Sequence, residues 1–316
     1  MVRYDNGVVM PKRFVEVSEK LYNFELRDDD IWIVTFPKSG TTWTQEMVWM
    51  LVNNVDEEKG AAPLFERSPF LESGAIGPKG PRSGGAGGLG AGEPGKGEPK
   101  PRKDPLAYAH SMTGRRVLKV HLPLEFLPPG LLTRCKVIYV ARNVRDTCVS
   151  FYHHHKNLPM HSFEGEFSEF AELFKSGITL FGDYWQHLQS GWRAREEPNV
   201  KFLWFEDMKT DQKRVIEELC VFLDHPLTED QKAKLVEHLK FDNMKKNQNF
   251  KMGGPGPKGS IKEDFMRKGQ VTNPHMYVSQ SCLRWGTGRT SSVLSRWRTG
   301  RTGSGSRLRD LDSRRG

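Results

Sequence analysis

The sequence predicts a single α/β domain, a mostly parallel sheet flanked by helices with a P-loop-like strand-loop-helix near its start. Two observations carry this. Short apolar, β-rich runs alternate with longer stretches of helical periodicity, the pattern of a parallel sheet covered on both faces. The compositional anomalies also gather in two segments: residues 73–104 and 272–316 hold 17 of the 31 glycines. What remains is ordinary globular sequence, long enough to bury one sizeable core.

Ile31–Phe36 reads IWIVTF, follows three aspartates and ends at Pro37, as a buried strand does. Thr41–Asn53 then places Trp43, Met47, Met50 and Leu51 at helical spacing, with Thr41 or Thr42 positioned to cap it. A second strand spans Arg116–His121 before Pro123. A third spans Lys136–Arg142 and runs into a helix from Val144 to about His155. The fourth spans Lys201–Phe205, and helical patterns fill Phe167–Phe174, Asp183–Arg195, Gln212–Leu223 and Thr228–Leu239. Ligands of such sheets sit at the carboxyl ends of the strands.

Residues 73–104 carry 11 glycines and almost no large apolar side chain. They cannot repay their ordering entropy by burial, so they predict a disordered insertion within a domain spanning 1–271. Residues 272–316 repeat Arg-Thr-Gly and Ser-rich phrases and predict a disordered basic tail. The formal charge is +9, yet the tail sets nine arginines against two aspartates and the insertion six basic residues against three acidic ones. The rest is within one charge of neutral, which excludes a generally basic surface and predicts no specific nucleic-acid partner.

The four cysteines form no CxxC pair and no metal-ligand spacing with histidine, which predicts a reducing compartment. The first residues lack the apolar core of a signal peptide, and no stretch approaches the ~20 apolar residues of a membrane span. A soluble cytoplasmic protein with no membrane partner is the expectation.

The heptapeptide Pro37-Lys-Ser-Gly-Thr-Thr-Trp43 lies between a predicted strand and a predicted helix. Gly40 permits close backbone approach, the N–H groups opening the helix point at a ligand, and the helix dipole favours an anion there. Lys38 adds a point charge, and Ser39, Thr41 and Thr42 add hydroxyl donors. A nucleoside-triphosphate loop, G-x-x-x-x-G-K-[ST], does not match, because here lysine precedes glycine. On the heptapeptide alone, an ordinary strand-to-helix turn with a surface lysine stands about level with an anion site.

Taken with six further ordered blocks, the loop resembles the cytosolic sulfotransferases, enzymes that use 3′-phosphoadenosine 5′-phosphosulfate (PAPS). The blocks are Phe65–Glu72, Lys119–Pro123, Tyr139–Asn143, Phe205–Lys209, Phe241–Lys246 and Phe265–Gly269. The resemblance implies that Lys38, Ser39, Gly40, Thr41 and Thr42 grip the 5′-phosphosulfate and that Trp43 stacks on adenine. It implies a 3′-phosphate site at Arg142 and Ser150, with a second contact from Arg267, Lys268 and Gly269 in the block that Phe265 and Met266 begin. Phe205, Phe241 and Met244 fall at positions around the cofactor, Phe205 where the family often has tyrosine. Read alone, Arg142 would be an ion-pair partner, for instance of Asp146, Phe241 and Met244 core residues, and Arg267–Gly269 a solvated basic turn.

A lone histidine at a strand end is more often a core or edge residue, but the resemblance places His121 at the catalytic base. Lys119, two residues away on the same strand face, and Lys38 would stabilise charge on the transferring and leaving groups. No metal is implied, and His153-His154-His155 on a helix would diverge by ~100° per residue rather than ligate together. Pro37, Phe70, Lys119 and His121, with Phe151, Tyr152 and His154, imply a wall for a small hydroxylated acceptor, phenolic or otherwise aromatic. Three departures stand out. Ser73 stands where an aromatic is common, the Gly-rich segment occupies the family's substrate-gating region, and Thr272-Asn-Pro-His replaces Gly-Asp-Trp-Lys and the dimer segment. The expected state is a monomer. Two alternatives to catalysis stay open, a chain that only binds nucleotide and a basic-tail module for polyanions.

Overall fold

The structure is a computed structural model, which describes residues 1–4, 7–76, 104–157 and 163–247. A hairpin of two short strands, β1 (Val2–Arg3) and β2 (Val9–Met10), opens the chain. Four parallel strands form the central sheet: β3 (Ile31–Thr35), β4 (Val117–Val120), β5 (Lys136–Ala141) and β6 (Val200–Trp204), in spatial order β4-β3-β5-β6. The connections β3 to β4, β4 to β5 and β5 to β6 each contain helix, the crossovers that parallel pairing requires.

Side chains alternate between two cores, because successive Cβ atoms of a strand point to opposite faces. Trp32, Val34, Leu118, Val120, Val137 and Tyr139 enter one; Ile31, Ile33, Val117, Ile138, Val140 and Leu203 enter the other. The second face is covered by the helix Thr41–Val52 through Met47, Val48 and Leu51, and by the helices Gln212–Phe222 and Glu229–His238. No helix among the described residues is long and apolar enough to cross a membrane.

The α/β class and all four central strands agree with the sequence expectation, and the strand boundaries shift by at most a few residues. The fourth strand ends at Trp204 because Phe205 opens a helix, Phe205–Thr210. The expected disordered insertion needs correction at both ends. Ser73–Ile76 form a helical turn with Ala75 buried, and the Asp104 carboxylate caps the helix Pro105–Ser111 by accepting from the Leu106 N–H at 3.1 Å. Local capping and one buried methyl order these ends despite the composition. Residues 77–103 and the expected tail 272–316 lie outside the described residues.

The return from that segment is anchored by charge. Arg116, fully buried at the entry to β4, donates to both oxygens of fully buried Asp30 at 2.6 and 2.5 Å. It also donates to the carbonyls of Ala109 and Glu25 and lies 5.0 Å over the Phe24 ring. Every arm of this pair is occupied, which is the condition for a buried ion pair to be tolerated. Arg116→Leu leaves a buried, uncompensated carboxylate and is expected to lower unfolding stability by about 3–5 kcal/mol. The urea midpoint of the full chain checks this, and a loss below about 1 kcal/mol would contradict the anchoring.

Candidate active site

The site forms where β3 and β4 end. Register pairs Val34 with Val120, so the next residues, Thr35 and His121, lie side by side. The Thr35 carbonyl is 2.9 Å from His121 Nδ1, and its hydroxyl is 3.1 Å from the same nitrogen and 2.7 Å from the Thr41 hydroxyl. One threonine therefore ties the histidine to the first residue of the helix that leaves the phosphate loop.

The loop itself bends through two left-handed residues, Lys38 (φ 69°) and Gly40 (φ 98°). A Cβ on Gly40 would lie 2.5 Å from Phe205 Cδ2, so only glycine fits there. Gly40 is the N-cap of Thr41–Val52 and offers no side-chain cap, so the first-turn N–H groups remain available to an anion. Ser39 is fully buried, and its hydroxyl has no hydrogen-bond partner among the described residues. A buried donor without a partner is costly, and a phosphosulfate oxygen in the loop would satisfy it. The residues present thus fit an anionic cofactor group.

Beside the loop, Arg142 at the end of β5 donates from Nη1 to the Lys38 carbonyl at 2.9 Å and lies 4.4 Å over the Phe205 ring. Phe205 in turn meets Trp43 edge-on at 5.7 Å. Where a tyrosine would offer a hydroxyl, Phe205 serves as a packed platform between Arg142 and Trp43. Met244 is buried in the core against which Trp43 packs, and Phe241, half-buried, begins the same short helix, Phe241–Lys246. Ser150, partly buried, lies on the helix Val144–Asn157 that follows Arg142. Phe265, Met266, Arg267, Lys268 and Gly269 lie outside the described residues.

At the sheet edge, residues 69–71 add to β4: the Lys119 N–H donates to the Pro69 carbonyl and the Leu71 N–H to the Lys119 carbonyl. This brings the Lys119 ammonium 4.1 Å over the Phe70 ring and sets Phe70 edge-on to His121 at 5.0 Å. One step further the pairing stops, and the Glu72 carboxylate takes the place of a strand by accepting from the His121 N–H. Burial drives the Glu72 carboxyl up, against the opposing pull of that N–H and of Lys119, and the same burial drives Lys119 down. His121 is held well below its ordinary value of 6.5, first by burial and next by the Lys119 charge.

Pro37 is buried at the loop entrance, near Lys38 and Ser39. The aromatic part of the expected acceptor wall, Phe151 and Tyr152, lies within the packed core. Phe151 is fully buried against Phe36, His155 and Phe170, and Tyr152 packs on Phe170, so both serve the core, while His154 stacks beside Phe151. In the histidine run, His155 is buried with Nδ1 3.0 Å from the Phe151 carbonyl. No group of three or more His, Cys, Asp or Glu among the described residues is placed to hold a metal ion. Four residues here escaped sequence reasoning: Thr35, Glu72, Phe181, whose ring meets His121 at 5.3 Å, and His187, which reaches the His121 carbonyl. Only Glu72 left a signal, as the last residue of a recognised block.

The sulfotransferase domain family matches residues 28–282. This chain belongs to the sulfotransferase family. It is 36% identical over 273 residues to sulfotransferase 1A1 of Canis lupus familiaris, covering 85% of this chain and 84% of that protein. It is 34% identical over 237 residues to the luciferin sulfotransferase of Photinus pyralis, covering 74% of this chain and 61% of that one. A crystal structure of retinol dehydratase with androsterone and the inactive cofactor PAP superposes with a TM-score of 0.71 at 25% identity, covering 93% of this chain and 90% of that one. PAPS-dependent sulfuryl transfer is the chemistry of the family, and its solved members include retinol dehydratase in complex with PAP.

The loop geometry sets one expectation. Gly40→Ala forces a Cβ into Phe205 at a left-handed φ, and the strain of such a residue, about 1–3 kcal/mol, opposes the loop shape that meets the anion. The melting shift produced by added PAP should shrink or vanish in this variant; an unchanged shift would contradict the loop as the anion cradle.

Proposed function

We propose that this chain transfers the sulfuryl group of PAPS to the hydroxyl of a small acceptor, phenolic or otherwise aromatic, with His121 as general base. The observation that carries the reading is the tautomer of His121. A carbonyl oxygen only accepts, so the 2.9 Å contact with Thr35 places a proton on Nδ1 and leaves the lone pair on Nε2. Burial keeps the ring neutral, so this lone pair is ready to take a hydroxyl proton at physiological pH.

PAPS supplies the sulfuryl group and departs as PAP. Lys38, Ser39 and the first-turn N–H groups of Thr41–Val52 hold the phosphosulfate, and Arg142 and Ser150 the 3′-phosphate. Trp43 and Phe205 hold the adenine side, with Phe241 and Met244 behind them; the block Phe265, Met266, Arg267, Lys268 and Gly269 is assigned to the same cofactor by the family resemblance alone. His121 Nε2 accepts the proton as the acceptor oxygen bonds to sulfur, and the electrons of the broken S–O bond pass to the phosphate oxygen. Lys119 stabilises the charge spread over the sulfuryl oxygens, and Lys38 the charge on the departing phosphate. Positioning and fixed charge do the catalysis, as in phosphoryl transfer, without a metal.

Pro37 and Phe70 beside Lys119 and His121 supply an apolar approach for a compact aromatic, and the Phe181 ring narrows it further. The buried free thiols Cys135, Cys148 and Cys220 suit a reducing cytoplasm.

A phenol panel with labelled PAPS tests the reading. His121→Ala should cost about 10²–10⁴ in turnover while leaving PAP affinity nearly intact, whereas Lys38→Ala should weaken both. Equal loss of PAP affinity in the two variants would remove His121 as base. Because burial and Lys119 depress its pKa, the acid limb of kcat/KM should lie below pH 6.5, activity falling only as pH drops toward the depressed value. A limb at or above 6.5 would contradict the assignment.

A further inference from the structure

His121 is held by its main chain as firmly as by its ring. It lies one residue past β4, at a sheet edge where backbone pairing has ended, so its N–H and C=O need other partners. The N–H goes to Glu72. The C=O faces His187 Nε2 at 3.1 Å, from the helix Tyr184–Arg193 on the far side of the strand end.

The protonation of this second histidine follows from its neighbours. A carbonyl cannot donate, so His187 Nε2 carries the proton. Burial pushes the His187 pKa down to about 3, so the ring is neutral and Nδ1 has only a lone pair. The Tyr139 hydroxyl faces two acceptors, this Nδ1 at 2.6 Å and the His187 carbonyl at 2.7 Å, and burial keeps the phenol protonated, so its one proton is shared between them. Tyr139 is itself fixed: it lies in β5, its ring stacks on Phe202 at 5.2 Å, and Gly191 makes room for it, since a Cβ there would come within 2.4 Å of the ring. Tyr139 thus meets His187 at both its ring and its main chain, His187 Nε2–H donates to the His121 carbonyl, and all three residues are buried.

We propose that His187 is a positioning residue for the sulfuryl transfer: its Nε2–H, on a ring and main chain both held by Tyr139, holds the His121 main chain and so sets where His121 Nε2 meets the acceptor hydroxyl. This rests on His121 being the base. Glutamine can reach the same carbonyl with its terminal N–H, and leucine fills the space without a donor.

Four variants of the full chain test it, His187→Leu, His187→Gln, Tyr139→Phe and His121→Ala, each assayed for kcat, KM and the PAP-induced melting shift. His187→Leu should lower kcat by about 10–100-fold with KM and the PAP shift little changed, the scale of a small misplacement at the reacting atoms. His187→Gln should recover most of the rate. Tyr139→Phe should lower kcat in the parent and add nothing in the leucine background, because the two act through one link. Imidazole ¹⁵N spectra of the parent should give His187 as the Nε2–H tautomer, untitrated at pH 5. Wild-type kcat in folded His187→Leu, no rescue by glutamine, or the Nδ1–H tautomer overturns the inference. If His121→Ala is inactive while His187→Leu is fully active, this inference fails alone; if His121→Ala keeps its turnover, the base reading fails and takes this one with it.

Discussion

Thr35 is the contact on which the rest of the site depends. Its carbonyl fixes the tautomer of His121, and its hydroxyl reaches both His121 and Thr41, the first residue of the helix that opens the phosphate loop. His121, proposed as the proton acceptor, and the loop proposed to hold the sulfuryl donor are thereby held in one frame, set by the parallel register of β3 and β4. Holding reacting groups within such a frame is what converts a bimolecular encounter into an effectively unimolecular one.

The frame is built by burying polar groups and satisfying nearly all of them. Glu72 takes the His121 N–H, His187 donates to its carbonyl, and the Tyr139 hydroxyl sits against both the remaining nitrogen and the carbonyl of His187. Each of these groups is pushed by burial toward its neutral form, and for both histidines that form is the one that accepts or donates as the geometry requires. The two histidines share a sign. Their pKa values are depressed on folding, so they stabilise the native state fully above the unfolded value of ~6.5 and lose that contribution as pH falls below it. Lys119 contributes to the depression at His121 while its own ammonium rests on Phe70.

The fold was largely legible because its signals are local. A run such as Ile31–Phe36, bounded by aspartates and proline, cannot be amphipathic and reads as a strand buried on both faces, as β3 is. The phosphate loop was legible for the same reason, its strand, glycine and helix being contiguous. The roles of Glu72, His187 and Tyr139 were not, because Glu72 and His187 meet His121, and Tyr139 meets His187, only through crossovers and a sheet edge, and a lone buried histidine has no signature in sequence. Phe151 and Tyr152 fit a pocket wall and a core equally well in the sequence, and the structure adds their packing against Phe36 and Phe170. Composition overstated the insertion at its ends, where a single cap at Asp104 and the buried Ala75 were enough to order the chain.

Direct in-line transfer, with His121 as base and no covalent enzyme intermediate, is tested most directly by a rapid-quench single turnover. The full chain would be mixed with PAPS labelled at sulfur and a simple phenol. The label should pass straight to an aryl sulfate, with one PAP released per sulfate formed and none retained on the protein. Label trapped on the protein, or PAPS bound and left unreacted, would contradict it.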